Sequence, residues 1–469
     1  MDLSASQRLT PPAASTPEQG TGWAALLLVL SLTWSLLPAG LSWDFNNLND
    51  NLSSGNFIIQ LQWGSLFLMA GILALRHFER FQVMVSGVNP FLLLLLVYCL
   101  MNALWSIQPG VSMKKGIQLG GMMLIAVVLQ MQGLDHRRWM KIMASTMLVF
   151  LVASVLAVLL IPDTAIEYAG VGNDAWVGGA WRGITDQKNS YGIMTAFTVM
   201  TLVSLYATPP MRSMPTIVLL PLLAFCGLNL VMSKSTTSLL VTLLGVGCYG
   251  LFRWKYVADE FVASRALVVV AGLLLIYVHV LYVIQGRLPT WDEFFKPVAD
   301  LLGKRTDISG RFDIWSMVLD EIDRHPWLGV GYGAFWLGKG SASQAIIDKM
   351  YWVPFQAHNG YLDILNELGV VGLGLFVCFL LHHLLSIYRL SRHDASAAAF
   401  HGAVIVVILV HNLTESSLLR GVNFLAMLVI YSSVAVNTAL RRHQAPSLMA
   451  SPMTGATDPT APPQGRYSR

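Results

Sequence analysis

Gln285-Gly286-Arg287-Leu288-Pro289-Thr290-Trp291-Asp292-Glu293 opens a hydrophilic stretch that runs on to Phe355-Gln356-Ala357, late in a chain otherwise filled with apolar runs. More apolar runs follow it, so residues 285–357 form a long loop between membrane spans. This loop and a shorter one near residue 180 hold most of the non-terminal polar residues able to do chemistry. The pattern is that of a membrane protein working on one face of the bilayer. Composition agrees: 55% of the 469 residues are hydrophobic and 12% are charged, against about 25% charged in soluble domains. About 20 apolar residues cross the hydrocarbon core as a helix, and helices satisfy their own backbone in lipid. The alternation of a membrane β-barrel is absent. The expectation is an all-α polytopic membrane protein.

The apolar runs predict twelve spans: 22–41, 57–76, 90–107, 115–132, 139–161, 189–208, 213–232, 235–252, 264–284, 363–387, 399–413 and 418–439. The pairs meeting near Met232 and Leu413 have short connections, and each could be one broken helix. The organisation is then a polar, disordered cytoplasmic N-terminus (1–21), nine spans (22–284), the outer loop with amphipathic helices (285–357), three spans (358–439) and a disordered cytoplasmic tail (440–469). Cys99, Cys226, Cys248 and Cys378 all fall in apolar runs, which suggests neither a disulfide framework nor a metal site. No HExxH, DxD or close His/Cys cluster is present, so no metal or cofactor is expected.

Lys and Arg in the short loops set the orientation. Arg76, Arg80, Arg137, Arg138, Lys141, Arg389, Arg392, Arg441 and Arg442 mark the inner side, and both termini lie inside. This is topology, with no signal for nucleic acid. Lys114, Lys115, Arg182, Lys188, Lys234, Arg287, Lys296, Lys304, Arg305, Arg311 and Arg420 fall against the bias, on or near the outer face. Two readings stay open for them: an anionic substrate on that face, or pairing with outer acids.

Four segments carry candidate chemistry. Gly179-Ala-Trp181-Arg182-Gly183-Ile-Thr185-Asp186-Gln-Lys188-Asn189-Ser190 opens an apolar helix. Its glycines, helix N-terminus and cations suit a phosphate, and an ordinary capped helix start is the alternative. Ser233-Lys234-Ser235-Thr236-Thr237-Ser238 breaks two apolar runs, as a polar lining or as a tight hairpin. Ser309-Gly310-Arg311-Phe312-Asp313-Ile314-Trp315 begins an amphipathic helix, apolar at 312, 314, 315, 318, 319 and 322, that would lie on the bilayer surface. Arg311 opposes the helix dipole there, which calls for a bound anion or a buried acid. His358-Asn359-Gly360 sits where the loop meets the next span, and an imidazole there suits a base acting on a sugar hydroxyl. His325 and His411 read as structural, and Glu415 as an arginine partner without a catalytic role.

In this order the segments resemble the O-antigen ligase and Wzy-type polymerase superfamily, nearest to its exopolysaccharide polymerases. The carriers are Trp181-Arg182-Gly183-Ile184 with Lys188-Asn189, Ser233-Lys234-Ser235 with Thr237-Ser238, Gly310-Arg311 with Trp315, His325-Pro326-Trp327-Leu328-Gly329-Val330-Gly331, and His358-Asn359-Gly360 with Glu367-Leu368-Gly369. Thr236 stands where relatives often carry arginine. The resemblance implies a GT-C-type glycosyltransferase in the bacterial inner membrane, active on the periplasmic face without metal. Its donor would be a polyprenyl-pyrophosphate-linked glycan and its acceptor a glycan or lipid A–core. Other polysaccharide assembly proteins would be its partners. By motif, His358 would be the base, and Arg182 and Arg311 would hold the pyrophosphate. Lys188, Asn189 and Lys234 would join them in substrate binding. Polymerase is the favoured reading and ligase the alternative. A secondary transporter is a remote one, because no internal repeat is visible.

Overall fold

The structure is a computed structural model that describes residues 17–41, 57–134, 136–167, 178–207, 215–257, 309–350 and 353–449. Its helices, in chain order, are α1 (Pro17–Leu36), α2 (Phe57–Arg76), α3 (Phe78–Val85), α4 (Pro90–Met101), α5 (Pro109–Met131), α6 (His136–Leu160) and α7 (Pro162–Ala165). After a two-stranded hairpin come α8 (Lys188–Ala207), α9 (Thr216–Met232), α10 (Thr236–Val257), α11 (Ser309–Arg324), α12 (Gln344–Met350), α13 (Gly360–Leu390), α14 (Ala395–His411) and α15 (Phe424–Met449). The hairpin pairs Ile166 with Trp181 and Glu167 with Ala180, a small departure from an all-α chain.

Among the described residues, seven helices are long and apolar enough to cross a membrane. Counting the α3–α4 pair, bent by 98°, as one span makes eight, and three shorter apolar helices join them. The chain is thus a polytopic helical membrane protein. Eleven of the twelve expected runs coincide with a described helix, and the run 264–284 lies outside the described residues. Boundaries moved where local chemistry outweighed hydropathy. Helix α5 starts at Pro109, six residues before the apolar run, because proline favours the first helical position. The last span starts at Phe424 rather than at 418, because residues 412–423 are held as an irregular connection. Asn412 fixes that connection: its Oδ1 accepts from the Ser417 and Leu418 N–H groups, and its Nδ2 donates to Ile408 O. At the chain ends, α1 begins before residue 22 and α15 continues past residue 439.

Lipid tails are as apolar as leucine, so spans associate through close packing of small residues. Helix α14 shows this: Ala397, Ala398, Ala399 and Ala403 are at most 3% exposed. A Cβ on Gly402 would stand 3.0 Å from the Phe252 ring, and one on Gly245 would stand 2.8 Å from Val407. These contacts seat α14 against α10.

Helix α13 breaks at Gly369 (φ 66°, ψ −172°). A break inside a span frees backbone groups that lipid cannot satisfy. The segment Pro326–Gly331 supplies the partners. Val330 N donates to Asn366 O and Gly331 N to Glu367 O, while Val370 N and Val371 N donate to the carbonyls of Pro326 and Trp327. Gly329 is in the left-handed region (φ 70°), and a Cβ there would meet the Glu367 carbonyl carbon at 2.4 Å. The His-Pro-Trp-Leu-Gly-Val-Gly motif is therefore the patch over a broken span, and it ties the long loop to α13.

Helix α11 does not simply float on the bilayer. Its Ile314, Val318 and Ile322 are buried with Val330, Phe335, Trp336, Ile346 and Ala357, while Phe312 and Leu319 remain exposed. The loop thus carries its own small core, which docks on the start of α13.

Candidate functional site

The start of α13 is held from three sides. Asn359 caps the helix, its side chain accepting from the N–H groups of Tyr361 and Leu362. Gly360 N donates to Asn412 O, and a Cβ at Gly360 would collide with Asn412 Oδ1 at 2.3 Å, so only glycine fits against this turn. Ala357, just ahead, is pinned at both backbone groups: Trp315 Nε1 donates to its carbonyl (2.8 Å), and its N–H reaches Asp363 Oδ1 (3.2 Å). Asp363 also accepts from Arg420 Nη1 (2.9 Å) and Trp336 Nε1 (2.8 Å). Between these anchors His358 takes φ 54°, a conformation rare for a side-chain-bearing residue. Strain of that kind persists only where the surroundings over-determine it, and it concentrates at functional sites.

Glu415 is the hub. It is 4% exposed and lies in the connection between α14 and α15. His358 Nδ1 is 3.3 Å from its Oε2, and Gln356 Nε2 donates to the same oxygen at 2.9 Å. Asn189 Nδ2 donates to Oε1 at 2.9 Å, and Arg311 Nη2 stands 3.5 Å from it. Burial pushes the Glu415 carboxyl upward. The hydrogen bond and charge of His358, with the charges of Arg311 and His411, outweigh burial and hold it at about 2. An ionised carboxylate only accepts hydrogen bonds, so in its contact with Glu415 the His358 ring donates through Nδ1.

The other candidates approach the same region along α8 and the hairpin. Lys188 N donates to Glu167 Oε1 (2.7 Å), and its ammonium interacts electrostatically with Glu167, Glu415 and Lys234. Lys234 stands in a tight turn between α9 and α10 at φ 49°, and its Nζ donates to Gly178 O (2.7 Å). That break is both a hairpin and a carrier of a cation toward the hairpin strands. Arg182 is the most committed: its Nε donates to Thr164 O (2.7 Å) and its charge faces Glu167 and Asp186. Burial pushes the Glu167 carboxyl up, against the Lys188 N–H and the charges of Lys188 and Arg182. So Arg311, His358 and Asn189 meet directly on Glu415, with Lys188 and Lys234 beside them, and Arg182 joins through Glu167.

Arg311 has the buried acid that its place on the helix demanded. Glu415, however, also binds the imidazole, so the sequence reading of it as a mere arginine partner was too narrow. The signal was available: a lone carboxylate in the polar run His411-Asn412-Leu413-Thr414-Glu415-Ser416-Ser417, between two apolar stretches. Arg420 proves to be paired with Asp363. His325 is half-exposed, 3.8 Å from Glu321. Among the described residues, no group of three or more His, Cys, Asp or Glu is arranged to hold a metal ion.

A family model described as O-antigen ligase matches residues 221–377, the part of the chain that contains Lys234, Arg311 and His358. A Rickettsia typhi protein bearing a polysaccharide ligase name is 30% identical over 102 residues, 21% of this chain and 25% of that relative. The exopolysaccharide production protein ExoQ of Rhizobium meliloti is 26% identical over 161 residues, 32% of this chain and 33% of ExoQ. The chain thus spans between a quarter and a third of the length of these relatives.

Proposed function

We propose that this chain belongs to the O-antigen ligase and Wzy-type superfamily and is a GT-C-type membrane glycosyltransferase. It polymerises polyprenyl-pyrophosphate-linked repeat units on the outer face of the bacterial inner membrane, with His358 as its base. The observation that carries the reading is the meeting of an imidazole and an arginine on one buried carboxylate beside further cations. The twelve-span topology and the outward placement of this site belong to the same proposal.

The chemistry follows from the parts. Glu415 holds His358 at Nδ1. The acceptor hydroxyl gives its proton to Nε2 as its oxygen bonds to the anomeric carbon of the donor sugar. The bond from that carbon to the pyrophosphate oxygen breaks, and the lipid pyrophosphate leaves with the electron pair. This single displacement inverts the anomeric centre. The Glu415 carboxylate stabilises the imidazolium that forms. Arg311, with Lys188 and Lys234, meets the charge growing on the leaving group, so pre-placed cations rather than a general acid assist departure. Asn189 steadies Glu415, and Arg182 holds the hairpin against which Lys188 and Lys234 rest.

A ligase that delivers the glycan to lipid A–core uses the same chemistry with another acceptor. The Rickettsia ligase names favour it, and the Trp181-Arg182-Gly183 and Lys188-Asn189 motifs with the longer ExoQ match favour the polymerase. Deleting the gene and analysing surface glycan and lipid-linked intermediates tests both. Accumulated single repeat units mean polymerase, and polymer stranded on its carrier means ligase. Unchanged glycans and intermediates would refute both.

A further inference from the structure

Beside Glu415, on the side lined by α1, α8 and the start of α15, lies a cavity whose empty space, mouth included, is about 550 Å³. The part of it that a water-sized sphere can reach is about 70 Å³, room for a few hydroxyl-sized groups. Its polar wall is made by Asp186, Asn189, Ser190, His411, Glu415 and Ser416, and the end of α1 supplies an apolar wall. Two of these groups are orphans. Ser416 Oγ and His411 Nδ1 are buried without a hydrogen-bond partner among the described residues, in residues 6% and 5% exposed. Buried polar atoms are rarely left unpaired, and each one calls for an explanation.

The chemistry of the wall narrows the occupant. Arg311, Lys188 and Lys234 do not line this cavity, and two carboxyl side chains do. An anion is therefore repelled. A sugar hydroxyl both donates and accepts, so neighbouring hydroxyls on one ring can satisfy a serine oxygen and a ring nitrogen together. Glu415 is the shared wall between this cavity and His358, so an occupant here adjoins the reacting bond. We propose that the cavity is a saccharide subsite, in which Ser416 and His411 hold hydroxyls of a neutral sugar of the glycan next to that bond. The subsite rests on the glycosyltransferase reading and adds to it the part of the substrate recognised and the residues that recognise it. His411, read from sequence as structural, becomes a binding residue.

The test uses the full-length protein in lipid nanodiscs and two probes made from the host's own polymer. The free repeat-unit oligosaccharide lacks pyrophosphate and can serve only as acceptor. The lipid-linked unit with its acceptor hydroxyl blocked can serve only as donor. Ser416→Leu fills the cavity and should weaken one probe at least tenfold, while inorganic pyrophosphate binds as before. Ser416→Ala removes a single oxygen and should weaken the same probe about three- to tenfold. It carries the test if the leucine variant does not fold. Weakening of the first probe seats the acceptor glycan in the cavity, and weakening of the second seats the donor glycan. Binding of both probes unchanged by either variant, in protein that still transfers sugar, removes the subsite and leaves the functional reading standing. Wild-type protein that transfers no sugar removes the functional reading, and the subsite with it.

Discussion

Glu415→Gln keeps the shape of the hub and removes its charge, so it isolates what the carboxylate does. The pocket favours the ionised over the neutral carboxyl, holding it at about 2 where an ordinary glutamate sits at 4.5. At 1.36 kcal/mol for each tenfold, that preference is worth roughly 3 kcal/mol. The causes that lower it are the hydrogen bond and charge of His358 and the charges of Arg311 and His411, so the carboxylate is the counter-ion that this cluster shares. In the proposed transfer His358 becomes an imidazolium. Glutamine forfeits most of that support and can turn its NH2 toward Nδ1, which would leave the wrong ring nitrogen protonated. The expected result is a fall of about 100-fold in kcat, with a smaller rise in donor KM as Arg311 loses its anchor. The assay is the initial rate of chain extension on a lipid-pyrophosphate-linked repeat unit in proteoliposomes, with thermal unfolding as a check on folding. A well-folded variant within threefold of wild-type kcat would refute the assignment of Glu415 to the imidazole.

Further expectations test separate parts of the account. His358→Ala should abolish chain extension in protein that still folds and inserts, as read by polymer yield and melting temperature. Arg311→Lys should weaken donor use at least tenfold, because an ammonium loses the guanidinium's bidentate grip on phosphate. Arg182→Ala should act mainly through the hairpin, lowering melting temperature together with activity. Acid should destabilise the wild type through Glu415: a carboxyl held low in the folded state contributes stability above about 4.5, and this is lost as pH falls toward 2. The Glu415→Gln variant should therefore lose less melting temperature than the wild type between pH 5 and pH 3. Gly369→Ala should destabilise by at least ~2 kcal/mol, since its φ of 66° disfavours a Cβ that would also meet Trp327 backbone at 2.3 Å. Its unfolding midpoint in denaturant measures this.

Much of the architecture could be read from hydropathy, because a span must be apolar along its whole length. The runs at 57–76 and 189–208 coincide with α2 and α8 to within a residue. Hydropathy failed where side-chain hydrogen bonds decide the backbone. Leu418 and Leu419 look like the start of a span, yet they are buried in a connection that Asn412 holds open. The candidate site was legible in its parts, since misplaced cations and a boundary histidine stand out against a strict charge bias. Its wiring was not. Glu415 lies far along the chain from Asn189 and Arg311, and only tertiary packing brings the three together. The His-Pro-Trp-Leu-Gly-Val-Gly run gave no hint of its work either, because backbone groups freed at Gly369 leave no mark in side-chain chemistry.

The central claim is that an imidazole and its neighbouring cations transfer a glycan from a lipid pyrophosphate. The most direct measurement places the purified full-length chain in proteoliposomes with the lipid-linked repeat unit and follows products by mass. The account predicts lengthened glycan and one released lipid pyrophosphate for each unit added, with neither formed by His358→Ala. Lengthened glycan from the His358→Ala protein, or none from the wild type, would contradict it.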